Sequence, residues 1–116
     1  MSSREKLSLL PGTLEMLVLQ TLIFGERHGH GIATAIQRHS GQELLIDHGS
    51  LYPALQRLEQ AGLIVSEWGI SEHNRRARFY KLNRKGRARL TAETSRWERV
   101  VRAVAGVLAA PQSEEV

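Results

Sequence analysis

The hydrophobic period of this chain changes at Gly62, and that change limits the folds open to it. Before Gly62, apolar residues recur at three- and four-residue steps, the spacing of helices that bury one face. The first set is Leu14, Leu17, Val18, Thr21 and Leu22, after Pro11-Gly12 and a capping Thr13, and Gly25 stops it. A glycine loop around His30 leads to a second helix over about 31–40, with Ile32, Ala33 and Ile36 on one face. Leu44-Leu45-Ile46 reads as a strand stub, and the cluster Asp47-His48-Gly49-Ser50 as a turn and cap. A third helix follows over about 50–61, with Leu51, Ala54, Leu55 and Leu58 as its stripe. Pro53 is expected in its first turn, where a missing N–H costs little.

After Gly62 the pattern becomes that of strands. Residues 63–68 and 79–82 are rich in branched and aromatic side chains, and the polar stretch 69–76 between them reads as a protruding loop. Asn83 then caps a last helix running to about Leu108. Three helices, a hairpin and a long helix predict a mainly α fold with a small β-hairpin. That is a winged helix-turn-helix domain over 7–82 followed by a C-terminal dimerisation helix over 83–109. In such domains the third helix enters the major groove and the hairpin, or wing, contacts the flanking backbone or minor groove. With Leu51, Leu55 and Leu58 turned inward, Ser50, Pro53, Gln56, Arg57 and Gln60 face outward, and Glu59 is the helix's only acid.

Charge is distributed as this arrangement requires. The net charge is +4, but residues 1–74 hold five Lys/Arg against eight Asp/Glu, and residues 75–116 hold eleven against four. Between Glu72 and Glu93 lie Arg75, Arg76, Arg78, Lys81, Arg84, Lys85, Arg87 and Arg89 with no acidic residue. Eight cations without a counter-charge favour a polyanionic partner over a merely solvated face. Residues at i and i+2 of a strand share a face, so Arg76 and Arg78 are expected to point together, as arginines inserted into a narrow minor groove would.

Leu10-Pro11-Gly12-Thr13-Leu14, His28-Gly29-His30-Gly31-Ile32, the block from Gly49 to Glu59 (GSLYPALQRLE) and Gly62-Leu63-Ile64 together resemble the PadR family of transcriptional regulators. Ser66-Glu67-Trp68-Gly69 and the stretch from Asn74 to Leu82 extend the likeness through the wing, and Gly86 and Trp97 fit the short branch with a single C-terminal helix. The resemblance spans about residues 7–108. It implies a dimeric repressor whose hold on DNA is relieved by a small molecule, or set by promoter competition alone. It also implies a backbone contact for Tyr52 and an effector pocket near the dimer helix, for which Trp97 is the candidate.

Several residues have plainer readings. Tyr52 can hydrogen-bond a phosphate or pack at the core's edge. Ser50 and Gln56 can contact backbone and base edge, or only water. Arg57 can hold a phosphate or pair with Glu59 or Glu43. Tyr80 and Lys81 divide between sheet packing and backbone contact. The stripe Leu90, Trp97, Val100, Val101, Val104, Val107 and Leu108, joined by Leu7, Leu9 and Leu10, reads as a homodimer interface. A protein-docking winged helix is the alternative function, and the uniform charge over 73–92 opposes it.

Other classes of function find no support. There is no cysteine, His28 and His30 flank a glycine at a spacing unlike standard zinc sites, and Ser50 has no base and acid partner. Neither a metal, a cofactor nor an enzyme activity is expected. No apolar run reaches the length of a membrane span and residues 1–6 lack a signal-peptide pattern, so a cytoplasmic protein is expected.

Overall fold

The computed structural model describes Leu9 and residues 12–111. Along the chain lie α1 (Thr13–Thr21), β1 (Arg27–His28), α2 (Gly29–His39), α3 (His48–Gln60), β2 (Ile64–Ile70), β3 (Arg76–Leu82) and α4 (Arg84–Leu108). The three short helices and the base of the sheet enclose one core, in which Val18, Leu19, Leu22, Ile32, Leu51, Leu55, Leu63 and Ile64 are fully buried. Each such side chain contributes about 1.5–3 kcal/mol by leaving water. Among the described residues no helix is long and apolar enough to cross a membrane.

Two helices, α2 and α3, begin earlier than the sequence pattern predicts, because side chains upstream act as caps; α1 begins at Thr13, which is its first residue rather than its cap, the cap position being Gly12. The Gly31 N–H donates to His28 Nδ1 at 3.0 Å, so α2 starts at Gly29 rather than Gly31. A histidine ring is not among the common capping groups. The Ser50 N–H donates to Asp47 Oδ1 at 2.8 Å, so α3 starts at His48. Pro53 therefore stands in the second turn, not the first, and withholds its donor from the Gly49 carbonyl.

The sheet has three antiparallel strands in the order β1-β3-β2, one more than the hairpin alone. β1 pairs Arg27 with Tyr80 and His28 with Phe79; two residues are too few to show a period. β2 and β3 run in register from Ile64↔Leu82 to Ile70↔Arg76, which shortens the connecting loop to residues 71–75. There the Ser71 N–H donates to the Arg75 carbonyl at 2.8 Å, and Asn74 takes a left-handed φ of 57°. Residues 44–46 form no strand: Leu44 and Ile46 pack on the core while Leu45 is exposed.

α4 is fixed at its root and exposed from residue 95 onward. Asn83 Oδ1 accepts from the Gly86 N–H at 2.7 Å, and Asn83 Nδ2 donates to the Gly62 carbonyl at 2.7 Å. Lys85 Nζ donates to the Ala61 carbonyl at 3.2 Å. At Gly86 the helix lies so close to Leu63 that a β-carbon there would overlap the Leu63 carbonyl oxygen. Leu90, assigned to the dimer stripe by its spacing, is instead 3% exposed in the domain's own core, because the first turns of α4 lie over α1. Past Leu90 no residue of α4 is buried, and Trp97, Val100, Val101, Val104, Val107 and Leu108 are all exposed. Leu7 and Leu10, expected at the same interface, lie outside the described residues.

Candidate nucleic-acid interface

α3 presents the face expected of it. Leu51, Ala54, Leu55 and Leu58 are buried, and Ser50, Tyr52, Pro53, Gln56, Arg57 and Gln60 are exposed. Gln56 lies one turn beyond Tyr52. The Tyr52 ring packs edge-on to His48 with centroids 5.6 Å apart. Its hydroxyl lies over the start of α2, where a β-carbon added to Gly29 would come within 2.6 Å of it. The ring thus braces α2 against α3 while remaining half exposed.

The register of the wing decides which cations face α3. Ser66, Trp68 and Ile70 of β2 lie opposite Tyr80, Arg78 and Arg76 of β3, so these six side chains share one face of the sheet. Tyr80, nearest the core, is buried, and burial raises its phenol pKa above the ordinary value. Arg76 and Arg78 stand further out on the same face. Lys81 has the opposite parity and projects from the other face, apart from the two arginines. Arg75 ends the loop and is exposed.

Two of the expected DNA ligands already hold partners. Arg78 Nε donates to Ser66 Oγ at 2.8 Å, and Ser66 Oγ donates to Glu59 Oε2 at 2.7 Å. Arg78 Nη2 lies 3.4 Å from the same carboxylate. This triad ties the wing to the end of α3 and offsets the single acid on that helix. Arg57 pairs with Glu15 of α1 at 3.2 Å, neither of the local acids that the sequence offered. Sequence reasoning missed Trp68 as well. The Arg76 guanidinium carbon lies 4.3 Å from its ring centroid and that of Arg78 5.6 Å. Parity along β2 was the available signal, but it needed the register.

Between α3, the start of α2 and the wing lies an open cleft of about 770 Å³. It gathers Arg75, Arg76 and Arg78, the rings of Tyr52, Trp68 and Tyr80, and His28, His30 and His73, with no carboxylate in its lining. Just outside it, Glu72 lies 3.4 Å from His28 Nε2. A backbone hydrogen bond first, and His28 second, hold the Glu72 carboxyl below its usual pKa. Among the described residues no three His, Asp or Glu side chains come together as metal ligands.

Known proteins share this architecture. The Transcriptional regulator PadR-like family matches residues 18–92. A transcriptional regulator of Mycobacterium tuberculosis is 37% identical over 81 residues, which cover 70% of this chain and 72% of that protein. The solved structure of a PadR family transcriptional regulator from Eggerthella lenta superposes with a TM-score of 0.74 at 28% identity, covering 86% of this chain and 85% of that one. A transcriptional regulator from Clostridium thermocellum gives 0.72 at 26% identity, over 79% and 89% of the two chains. With a winged-helix fold, a C-terminal helix and a family match over most of its length, the chain belongs to the PadR-like transcriptional regulators.

Proposed function

We propose that this regulator is a sequence-specific repressor that binds a pseudo-palindromic operator as a homodimer in the cytoplasm. The observation that carries the reading is the carboxylate-free cleft between α3 and the wing, lined by three arginines. A duplex that takes α3 into its major groove and the wing into the adjacent minor groove runs one phosphate strand between them. Ser50, Tyr52, Pro53 and Gln56 meet backbone and base edges from α3. Arg75 and Arg76 supply charge from the wing, and Arg78 holds the wing at its angle. Arg57, paired with Glu15, and Lys81, on the outer sheet face, contribute attraction at longer range.

Dimerisation rests on the exposed stripe of α4, where Trp97 is 40% and Leu108 80% exposed. A second copy covers that stripe and places two α3 helices on successive major-groove turns, about 34 Å apart. A small aromatic effector stacking on Trp97 between the paired helices would alter their crossing and release the DNA.

Fluorescence anisotropy with labelled upstream DNA, titrated with salt, tests the reading. Each phosphate neutralised steepens the fall of log K with log salt by about 0.9. Arg76→Ala should weaken binding several-fold and lower the slope by about one per wing. A flat salt dependence refutes the electrostatic grip. Adding small aromatic molecules to the same titration tests the effector, since one that acts must lower the bound fraction.

A further inference from the structure

Trp68 is 55% exposed on β2, outside the buried core. What it touches is charge. Arg78 is its cross-strand partner, and Arg76, two residues earlier on β3, is the diagonal neighbour. Both guanidiniums lie within cation–π range of the one indole. Arg78 is further held by Ser66 and Glu59. Among the described residues the Arg76 guanidinium makes no hydrogen bond or ion pair, so the Trp68 ring is the contact it has while its N–H donors stay unused.

An unrestrained arginine samples many rotamers and loses that freedom when it binds. A guanidinium already laid on a ring loses less. The indole also lets two like charges stand side by side beside the cleft, since its negative face attracts both.

We propose that Trp68 is a positioning residue for DNA, holding the Arg76 guanidinium on its ring with the N–H edge presented to a phosphate or to the floor of a minor groove. The proposal rests on the DNA-binding reading above. Trp68 acts through Arg76, so it sets how tightly a fixed number of phosphate contacts is held and not how many there are.

Anisotropy titrations on a labelled duplex of mixed sequence and about 30 base pairs separate these terms, because the backbone contribution is independent of sequence. Trp68→Ala should bind about five- to tenfold more weakly, with the salt slope of the unsubstituted protein. Trp68→Phe, which keeps a ring, should stay within about twofold. Trp68→Leu, which keeps apolar bulk without a ring, should bind as weakly as Trp68→Ala and reports the effect even where the alanine variant does not fold. In an Arg76→Ala background, losing the ring should cost less than about twofold more. Wild-type affinity in a folded Trp68→Leu protein overturns the proposal. So does a full ring penalty that persists without Arg76, which would make Trp68 a direct ligand. If the unsubstituted protein itself fails to bind the duplex, the DNA-binding reading falls first and takes this proposal with it.

Discussion

Tyr80 and Arg78 occupy the same face of one strand, two residues apart, yet one is sealed and the other exposed. Tyr80 lies beside Arg27 and Ser66 of the flanking strands and is 6% exposed. Burial disfavours its phenolate, which outweighs the opposing pull of Arg78. The folded-state pKa is therefore above the unfolded value. Its contribution to stability is intact below about pH 10 and is lost as pH rises through the folded pKa. An ultraviolet titration of tyrosinate should show one phenol ionising above the ordinary range, and Tyr80→Phe should remove that step. A single transition at the ordinary value in both proteins would contradict the assignment. Sequence alone divided Tyr80 between sheet and backbone, since the choice depends on how far up the strand the core reaches. It also misplaced the partner of Arg57. The nearby acids were Glu59 and Glu43, whereas Glu15, 42 residues away, meets it only after α1 and α3 pack.

At the level of elements, the helical and strand periods were legible because each element buries one face. Their limits were not. His28 and Asp47 start α2 and α3 early through side-chain caps. Gly69, Ile70 and Ala77 join the ladder although their composition resembles a loop. β1 exists only because β3 offers it an edge. The seating of α4 depends on a single missing side chain. Gly86→Ala must push α4 away from the Leu63 carbonyl, which is backbone and cannot rotate aside. Overpacking of this kind costs about 1–3 kcal/mol. Urea unfolding should show a lower midpoint with little change in slope. An unchanged midpoint would mean that the α4 root is looser than its contacts imply.

For the whole molecule, the division into a winged domain and a separate dimer helix is less sharp than the sequence pattern implies. Gly86 and Leu90 belong to the domain core, Glu93 and Thr94 are still half-buried, and only the part of α4 past Thr94 is exposed throughout. The apolar stripe on that part was legible because 97, 100, 101, 104, 107 and 108 follow helical spacing. Val104→Asp introduces a charge at the middle of the stripe and should leave the domain folded but monomeric by analytical ultracentrifugation. Loss of the second half-site contact should weaken operator binding by about a hundredfold or more. A dimer that survives the substitution would relocate the interface. The anchored root of α4 also bears on which operators such a dimer tolerates. From Leu90 to Leu108 the arm extends about 27 Å. A tilt of about 10° at Gly86, about 33 Å from Leu108, would swing the tip by about 6 Å, more than the roughly 3.4 Å step between neighbouring bases. In the proposed dimer, a root that does not tilt would turn the two arms into a stiff caliper, and the spacing between half-sites would then be dictated by α4, far from any base that α3 touched.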